Sequence, residues 1–220
     1  MLVNRTNYTE IVKQLSEGQV LVAVSKTKPA EAVLELYELG QRDFGENYVQ
    51  ELCDKQAALP ADIRWHFIGH LQRNKVKYIA PFVHMIHGID SERLLEEVNK
   101  QAQKLGRTID VLLQVHIAKE ETKFGLDEAE LSGLLDKASA GNFPYVRIRG
   151  LMGMASFTED AGQVGREFSF LSGLYDQYAE RHSFTVLSMG MSADYPLALE
   201  NGSTMIRVGS LLFGAREKTQ

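Results

Sequence analysis

Val20-Leu-Val-Ala-Val-Ser-Lys26-Thr-Lys-Pro29 is an unbroken apolar run that ends on a lysine. Short, rich in β-branched residues and almost free of polar breaks, it has the character of a strand covered on both faces in a parallel sheet. Lys26 emerges at its carboxyl end. Pro29 suits the first turn of a following helix, whose apolar positions are Ala32, Val33, Leu36 and Tyr37 and whose stop is Gly40. Desolvation at that strand end, together with the like charge of Lys28, is expected to lower the Lys26 pKa and free its amine as a nucleophile toward an aldehyde, forming a Schiff base. The alternative is a lysine whose stem lies along the strand end and whose head stays in water.

Working outward, apolar runs alternate with segments of helical period. Candidate strands are Val20–Ser25, Asp43–Gly45, Arg64–Ile68, His84–Ile89, Ile109–Ile117, Arg147–Ala155, Thr185–Ser188 and Met205–Phe213. Between them lie amphipathic stretches such as Leu94, Leu95, Val98, Ala102 and Leu105 before Gly106, and Val164, Phe168, Leu171, Tyr175 and Tyr178, which read as packing faces. Eight strand–helix units in 220 residues predict an α/β fold, a single (β/α)₈ TIM barrel spanning residues 1–220, with its site at the carboxyl ends of the strands. An open doubly wound sheet is the rival. Ser25-Lys-Thr-Lys-Pro29 lacks the Gly-x-Gly-x-x-Gly turn that dinucleotide binding needs.

Composition narrows the function classes. A net charge of −5 without a long single-sign block gives no basic footprint, so nucleic acid is not expected as a ligand. The lone Cys53 excludes an internal disulfide framework and a cysteine-based zinc site, and the six histidines show no metal-ligand spacing. No metal is expected. Cys53 itself reads as a small hydrophobe in a helix. No membrane span or signal peptide is read, which suits a reducing cytoplasm.

Chemistry gathers again in Ser188-Met-Gly-Met-Ser192-Ala-Asp194 and Gly202-Ser-Thr-Met-Ile-Arg207-Val-Gly209-Ser210. Barrels often hold phosphate beyond their last two strands. Ser192 is expected to N-cap a short helix running toward Asn201, with Pro196 in its first turn, and to offer its hydroxyl to an anion there. Gly209 and Ser210 let backbone N–H groups approach the same anion, and Arg207 supplies a charged donor. Ordinary turn chemistry accounts for each motif alone.

Taken together, Ala23-Val-Ser-Lys26-Thr-Lys, Phe44-Gly-Glu-Asn47-Tyr-Val-Gln-Glu51, Trp65-His-Phe-Ile-Gly69 with Leu71-Gln72 and Asn74-Lys75, Gly150-Leu-Met152, Ser188-Met-Gly-Met-Ser192, and Gly202 to Gly209 with Phe213-Gly-Ala-Arg216 resemble the pyridoxal phosphate homeostasis proteins. The order is kept along the whole chain. That resemblance implies a barrel like the amino-terminal domain of alanine racemase, binding pyridoxal 5′-phosphate as its cofactor. It makes Lys26 the Schiff-base lysine, sets Asn47 beside the ring, assigns Ser192, Gly209 and Ser210 to the phosphate and turns Arg207 toward the pyridine nitrogen. An arginine there leaves that nitrogen unprotonated and the ring a weak electron sink.

The resulting expectation is a carrier that holds pyridoxal phosphate reversibly and yields it to pyridoxal phosphate-dependent apo-enzymes, with no dedicated catalytic residue. Racemases of similar fold add a tyrosine from a β-rich second domain, for which few residues follow Arg216. A racemase or lyase of narrow scope is the alternative. An imine-forming aldolase would need a proton shuttle near Lys26, for which Glu46 and Tyr48 are the candidates. Two positions depart from the family pattern: His116 where asparagine is expected, and His70 where many relatives have proline. His116 shares strand parity with Gln114 and could face the cavity. Arg73, Lys75 and Lys77 form a basic patch that a solvated helix face also explains.

Overall fold

Residues Val20–Val24 do form a strand, covered on both faces, with β-branched Val20, Val22 and Val24 on the inner one and Leu21 and Ala23 on the outer. In this computed structural model, which describes residues 2–119 and 124–214, eight parallel strands close into one barrel in chain order. They are β1 (Val20–Val24), β2 (Asp43–Glu46), β3 (Arg64–Phe67), β4 (Met85–Ile89), β5 (Ile109–Gln114), β6 (Val146–Met152), β7 (Val186–Ser188) and β8 (Met205–Val208). The helices are α1 (Arg5–Gln14), α2 (Ala30–Glu38), α3 (Val49–Ala58), α4 (Val76–Ile79), α5 (Glu92–Lys104), α6 (Glu128–Ser139), α7 (Ala161–His182), α8 (Tyr195–Glu200) and α9 (Ser210–Phe213). Register pairs Ala23 with Phe44 and with Val208, so β1 is the seam on which the barrel closes.

All eight expected strands are present, with ends that differ by a few residues. The largest difference is at the carboxyl terminus: β8 stops at Val208, and Ser210–Phe213 turns into α9 instead of extending the strand. Gly209 is the break. Its N–H donates to Ser192 Oγ at 3.1 Å rather than to a neighbouring strand. β5 and β6 likewise end at Gln114 and Met152, before Ile117 and Ala155.

Two apolar layers hold the fold. Leu21, Ala23, Phe44, Trp65, Phe67 and Ile86 face outward and pack on Leu36, Leu52, Leu95, Phe168 and other helix residues, as the helical periodicity requires. Inside the barrel, Val22, Met85, Leu112, Met152, Val186 and Met205 make a smaller plug. Three of these six are methionine, whose unbranched side chain fills an irregular interior. At the amino-end mouth the interior turns ionic. Arg64 makes a two-pronged contact with Asp43, and Asp110 accepts from Arg147 Nε at 2.7 Å and from Arg149 Nη1 at 3.2 Å, pinning β2 to β3 and β5 to β6.

Gly150 sits on the β-bulge of β6 with φ +151°, where a Cβ would lie 1.8 Å from the Val186 carbonyl oxygen. Gly150→Ala is therefore expected to cost about 3 kcal/mol or more in urea unfolding. Gly173 lies on the exposed face of α7 with nothing within 4 Å of an added Cβ. Gly173→Ala should raise stability by about 0.5–1 kcal/mol in the same measurement.

Candidate functional site

Beyond the carboxyl ends of the strands lies a cavity of about 970 Å³. Lys26, Asn47, Ser192, Arg207, Gly209 and Ser210 all line it, so the barrel brings together side chains up to 184 residues apart in sequence. Val24 and Ile68 form apolar wall beside them. Size and lining suit a small phosphorylated organic ligand.

The turn that carries Lys26 is built with strain and clamped against it. Thr27 has φ +62°, a left-handed conformation that a β-branched residue rarely adopts. Its N–H donates to Glu51 Oε1 at 2.6 Å, and Lys28 N–H closes onto the Ser25 carbonyl at 3.0 Å. Glu51 is in turn held by Lys55 Nζ at 2.7 Å, and the same ammonium donates to the Ser25 carbonyl and to Glu46 Oε1, both at 2.7 Å. Ser25 Oγ adds a further bond to Glu46 Oε1 at 2.6 Å. β1, β2 and α3 are thus tied together directly behind Lys26.

Two carboxylates share this one ammonium. Glu46 is fully buried and its Oε2 has no partner; burial, only partly offset by Lys55 and Ser25, pushes its carboxyl up to about 7. The aldolase reading loses its proton shuttles here, because Glu46 faces α3 behind the sheet, Tyr48 is half exposed, and neither lines the cavity.

Asn47 is positioned by a glycine. A Cβ on Gly69 would lie 2.5 Å from the Asn47 carbonyl oxygen, so only glycine lets the loop after β3 press against this backbone. Asn47 Oδ1 is buried without a partner in a wall of the cavity, which leaves room for a donor on a ligand.

The phosphate-side expectation is corrected in one respect. Ser192 does not cap α8. Asp194 occupies the N-cap position and its carboxylate accepts from Met191 N–H at 2.6 Å, while Ser192 Oγ accepts from Gly209 N–H. Local competition decides this: the Asp194 carboxylate folds back onto Met191, which frees the Ser192 hydroxyl to reach across to β8. Pro196 does sit in the first turn. The loop after β6, which supplies the opposite wall, hangs on α7, where Glu167 accepts from Ser156 N–H at 2.6 Å and Ser156 Oγ at 2.8 Å.

Arg207 lies buried at the floor, donating to Ser188 Oγ at 2.5 Å and to the Gly153 carbonyl at 3.1 Å. Burial draws its guanidinium down to about 10, so it remains charged at neutral pH. His116 does not line this cavity; it borders a separate small recess with Gln114. His70 stacks on Phe124 at 4.4 Å with its ring nitrogen 3.0 Å from Asp90 Oδ2. Lys75 and Lys77 flank the exposed ring of Tyr78, as a solvated helix face would. Cys53 is half-buried on α3, and Arg216 lies outside the described residues.

One clustering is invisible in linear spacing. Asp43, His66 and His84 bring ligand-type atoms within 4.8 Å of one another across three neighbouring strand segments. Arg64 occupies both Asp43 oxygens, so a cation would have to displace an ion pair. Lys55 and His87 stand in no motif, and Ser188 and His66 stand in motifs that gave neither of them a role. Period-two parity, which sets Arg64, His66 and Ile68 on one face of β3, was the available signal for the histidines.

A closed barrel with a strand-end lysine facing glycine and serine groups defines a class, and comparison with known proteins agrees. Residues 4–217 match the family described as "Alanine racemase, N-terminal domain". Alanine racemase of Clostridium difficile superposes with a TM-score of 0.75 at 16% identity, over 98% of this chain and 57% of its own, a likeness of fold. The pyridoxal phosphate homeostasis protein of Aquifex aeolicus is 40% identical over 90% of this chain and 87% of its own, and the human one is 40% identical over 90% and 76%. PipY of Synechococcus elongatus, whose structure was solved with pyridoxal phosphate bound, is 39% identical, with a TM-score of 0.87 over 95% of this chain and 99% of its own. The chain belongs to the pyridoxal phosphate homeostasis protein family.

The Glu46 carboxyl gives a pH prediction. Its folded value of about 7 lies above its ordinary 4.5, so it favours the folded state fully below pH 4.5 and progressively less as the pH rises toward 7. Wild-type stability minus that of Glu46→Gln should fall across that window by at most about 3 kcal/mol. Chemical unfolding at pH 4.5, 6 and 8 measures it, and a flat difference contradicts the assignment.

Proposed function

We propose that this protein binds pyridoxal 5′-phosphate reversibly in the cavity at the carboxyl end of the barrel and makes it available to other proteins. The carrying observation is the convergence of Lys26, Asn47, Ser192, Arg207, Gly209 and Ser210 on that one cavity. Pyridoxal phosphate supplies an aldehyde that condenses reversibly with a lysine amine.

The chain's own groups fit that ligand. Lys26 presents its amine from a turn whose backbone is clamped on both sides. The unmet Asn47 Oδ1 offers an acceptor to a ring hydroxyl. Ser192, Gly209 and Ser210 lie where a phosphate would find a hydroxyl and backbone N–H groups, and a phosphate there would take over the Gly209 N–H that Ser192 Oγ now accepts. Arg207, charged and at the floor, would face the pyridine nitrogen as a donor and keep it unprotonated. That arrangement supports holding the cofactor better than it supports removing protons from amino acids.

Pyridoxal phosphate-dependent apo-enzymes are the recipients this role implies, and the cytoplasm is its natural compartment. Among the described residues, no helix is long and apolar enough to cross a membrane.

Purified protein mixed with pyridoxal phosphate is expected to show a visible absorption band that borohydride fixes as a covalent adduct on Lys26, located by mass spectrometry. Lys26→Ala should lose the band and the adduct and weaken binding at least tenfold. A colourless wild type overturns the cofactor assignment. Lys26-dependent exchange of an amino acid's α-proton with solvent, across a panel of amino acids, would replace the carrier reading with an enzymatic one.

A further inference from the structure

The inward-facing residues of β2, β3, β4, β7 and β8 form a continuous polar line through the barrel. It starts at the cavity floor, where Arg207 Nη1 donates to Ser188 Oγ at 2.5 Å. Ser188 Oγ lies 3.3 Å from His87 Nδ1, and His87 Nε2 lies 2.9 Å from His66 Nδ1. His66 Nε2 lies 3.0 Å from Asp43 Oδ1, at the opposite mouth. All five side chains are buried.

The two ends fix the direction of every link. A guanidinium has only donors, so Ser188 Oγ accepts from Arg207; at the other end, with one hydrogen on each ring, the Asp43 carboxylate leaves His87 Nδ1 to accept the Ser188 hydroxyl hydrogen. His87 then carries its hydrogen on Nε2 and donates to His66 Nδ1, and His66 donates from Nε2 to the carboxylate. Burial opposes a charge on Asp43, but the Arg64 and His66 bonds outweigh it and hold the carboxyl at about 2, so the line ends on an ionised acceptor. Burial also disfavours a charged His87, which agrees with a neutral ring.

We propose that Asp43 is a positioning residue for Arg207, acting across the barrel through His66, His87 and Ser188 as a one-way chain of donors. The proposal rests on the reading in which Arg207 faces the cofactor ring. Burial is costly to the Arg207 charge, and the Asp194 carboxylate beside the cavity offsets that cost only in part. The chain supplies compensation from a distance. Each bond polarises the next, making Ser188 Oγ a stronger acceptor and fixing one edge of the guanidinium so that its remaining donors face the cavity. Arg64 also pairs with Asp43, but its side chain is 48% exposed, so water screens its charge while the histidine side stays dry.

Nitrogen-15 NMR of the histidine rings in the cofactor-free protein at pH 8 tests the chain without reference to ligand. His66 and His87 are expected as neutral rings with the hydrogen on Nε2. In Asp43→Leu the terminal acceptor is gone, and His87, which does not touch Asp43, should become a mixture of tautomers. Asp43→Asn keeps an amide oxygen for His66 and should restore the Nε2–H form. In loaded protein, Asp43→Leu should weaken pyridoxal phosphate binding about tenfold and move the pH titration of its visible band, with Asp43→Asn in between.

Wild-type His87 with its hydrogen on Nδ1, or a His87 unmoved in folded Asp43→Leu, overturns the proposal. Should Asp43→Leu not fold, Ser188→Ala leaves the Asp43 end of the chain intact: a His87 still carrying its hydrogen on Nε2 supports it, and a His87 that becomes mixed or moves to Nδ1–H overturns it. Failure of wild type to bind pyridoxal phosphate would remove the functional reading, while the tautomer measurement would still decide the chain.

Discussion

One buried ammonium underlies the site. All three Lys55 Nζ donors are used, on the Ser25 carbonyl, on Glu46 and on Glu51, and these partners come from the end of β1, the end of β2 and the first turn of α3. The β1–β2 register, the seating of α3 and the left-handed Thr27 all meet there. Replacing Lys55 with an apolar residue would leave two carboxylates facing each other in low dielectric, the situation in which removing one partner of a buried pair is far worse than never having had it.

The barrel interior is divided by chemistry along its axis. Ion pairs occupy the amino-end mouth, the histidine line and the methionine-rich plug fill the middle, and the ligand-sized cavity opens at the carboxyl end. The middle layer therefore carries two kinds of packing side by side. Methionine and valine exclude water, and their exclusion of water is what makes the neighbouring polar line effective over several bonds.

Most of the architecture was readable before any coordinates. Eight apolar runs with helix-period segments between them fix a parallel closed sheet, because no hairpin signal interrupts the alternation. That Lys26, Asn47, Ser192, Arg207, Gly209 and Ser210 meet at one cavity was also readable, since they stand in short motifs at strand ends. What was not readable depended on closure. Lys55 in Glu51-Leu-Cys-Asp-Lys55 reads as half of an exposed i,i+4 pair, and only the packing of α3 on β1 and β2 buries it. His66 and His87 lie on separate strands, and their meeting requires the barrel to bring β3 beside β4 with both rings inward. The end of β8 was misjudged where Gly209 stops the ladder, and the Ser192 cap where Asp194 competes for the same task.

Thr27 has a kinetic meaning that its φ angle alone does not convey. A β-branched residue held in a left-handed conformation by the Thr27–Glu51 and Lys28–Ser25 bonds has few neighbouring backbone states to visit, so in the proposed role the turn would sample narrowly between binding events. In the proposed role, the Lys26 amine would meet an incoming aldehyde with little loop entropy left to lose, and a departing one would leave behind a turn already arranged for the next. Loading and unloading would be governed by carbonyl–amine chemistry and by ligand diffusion rather than by opening and closing of the protein.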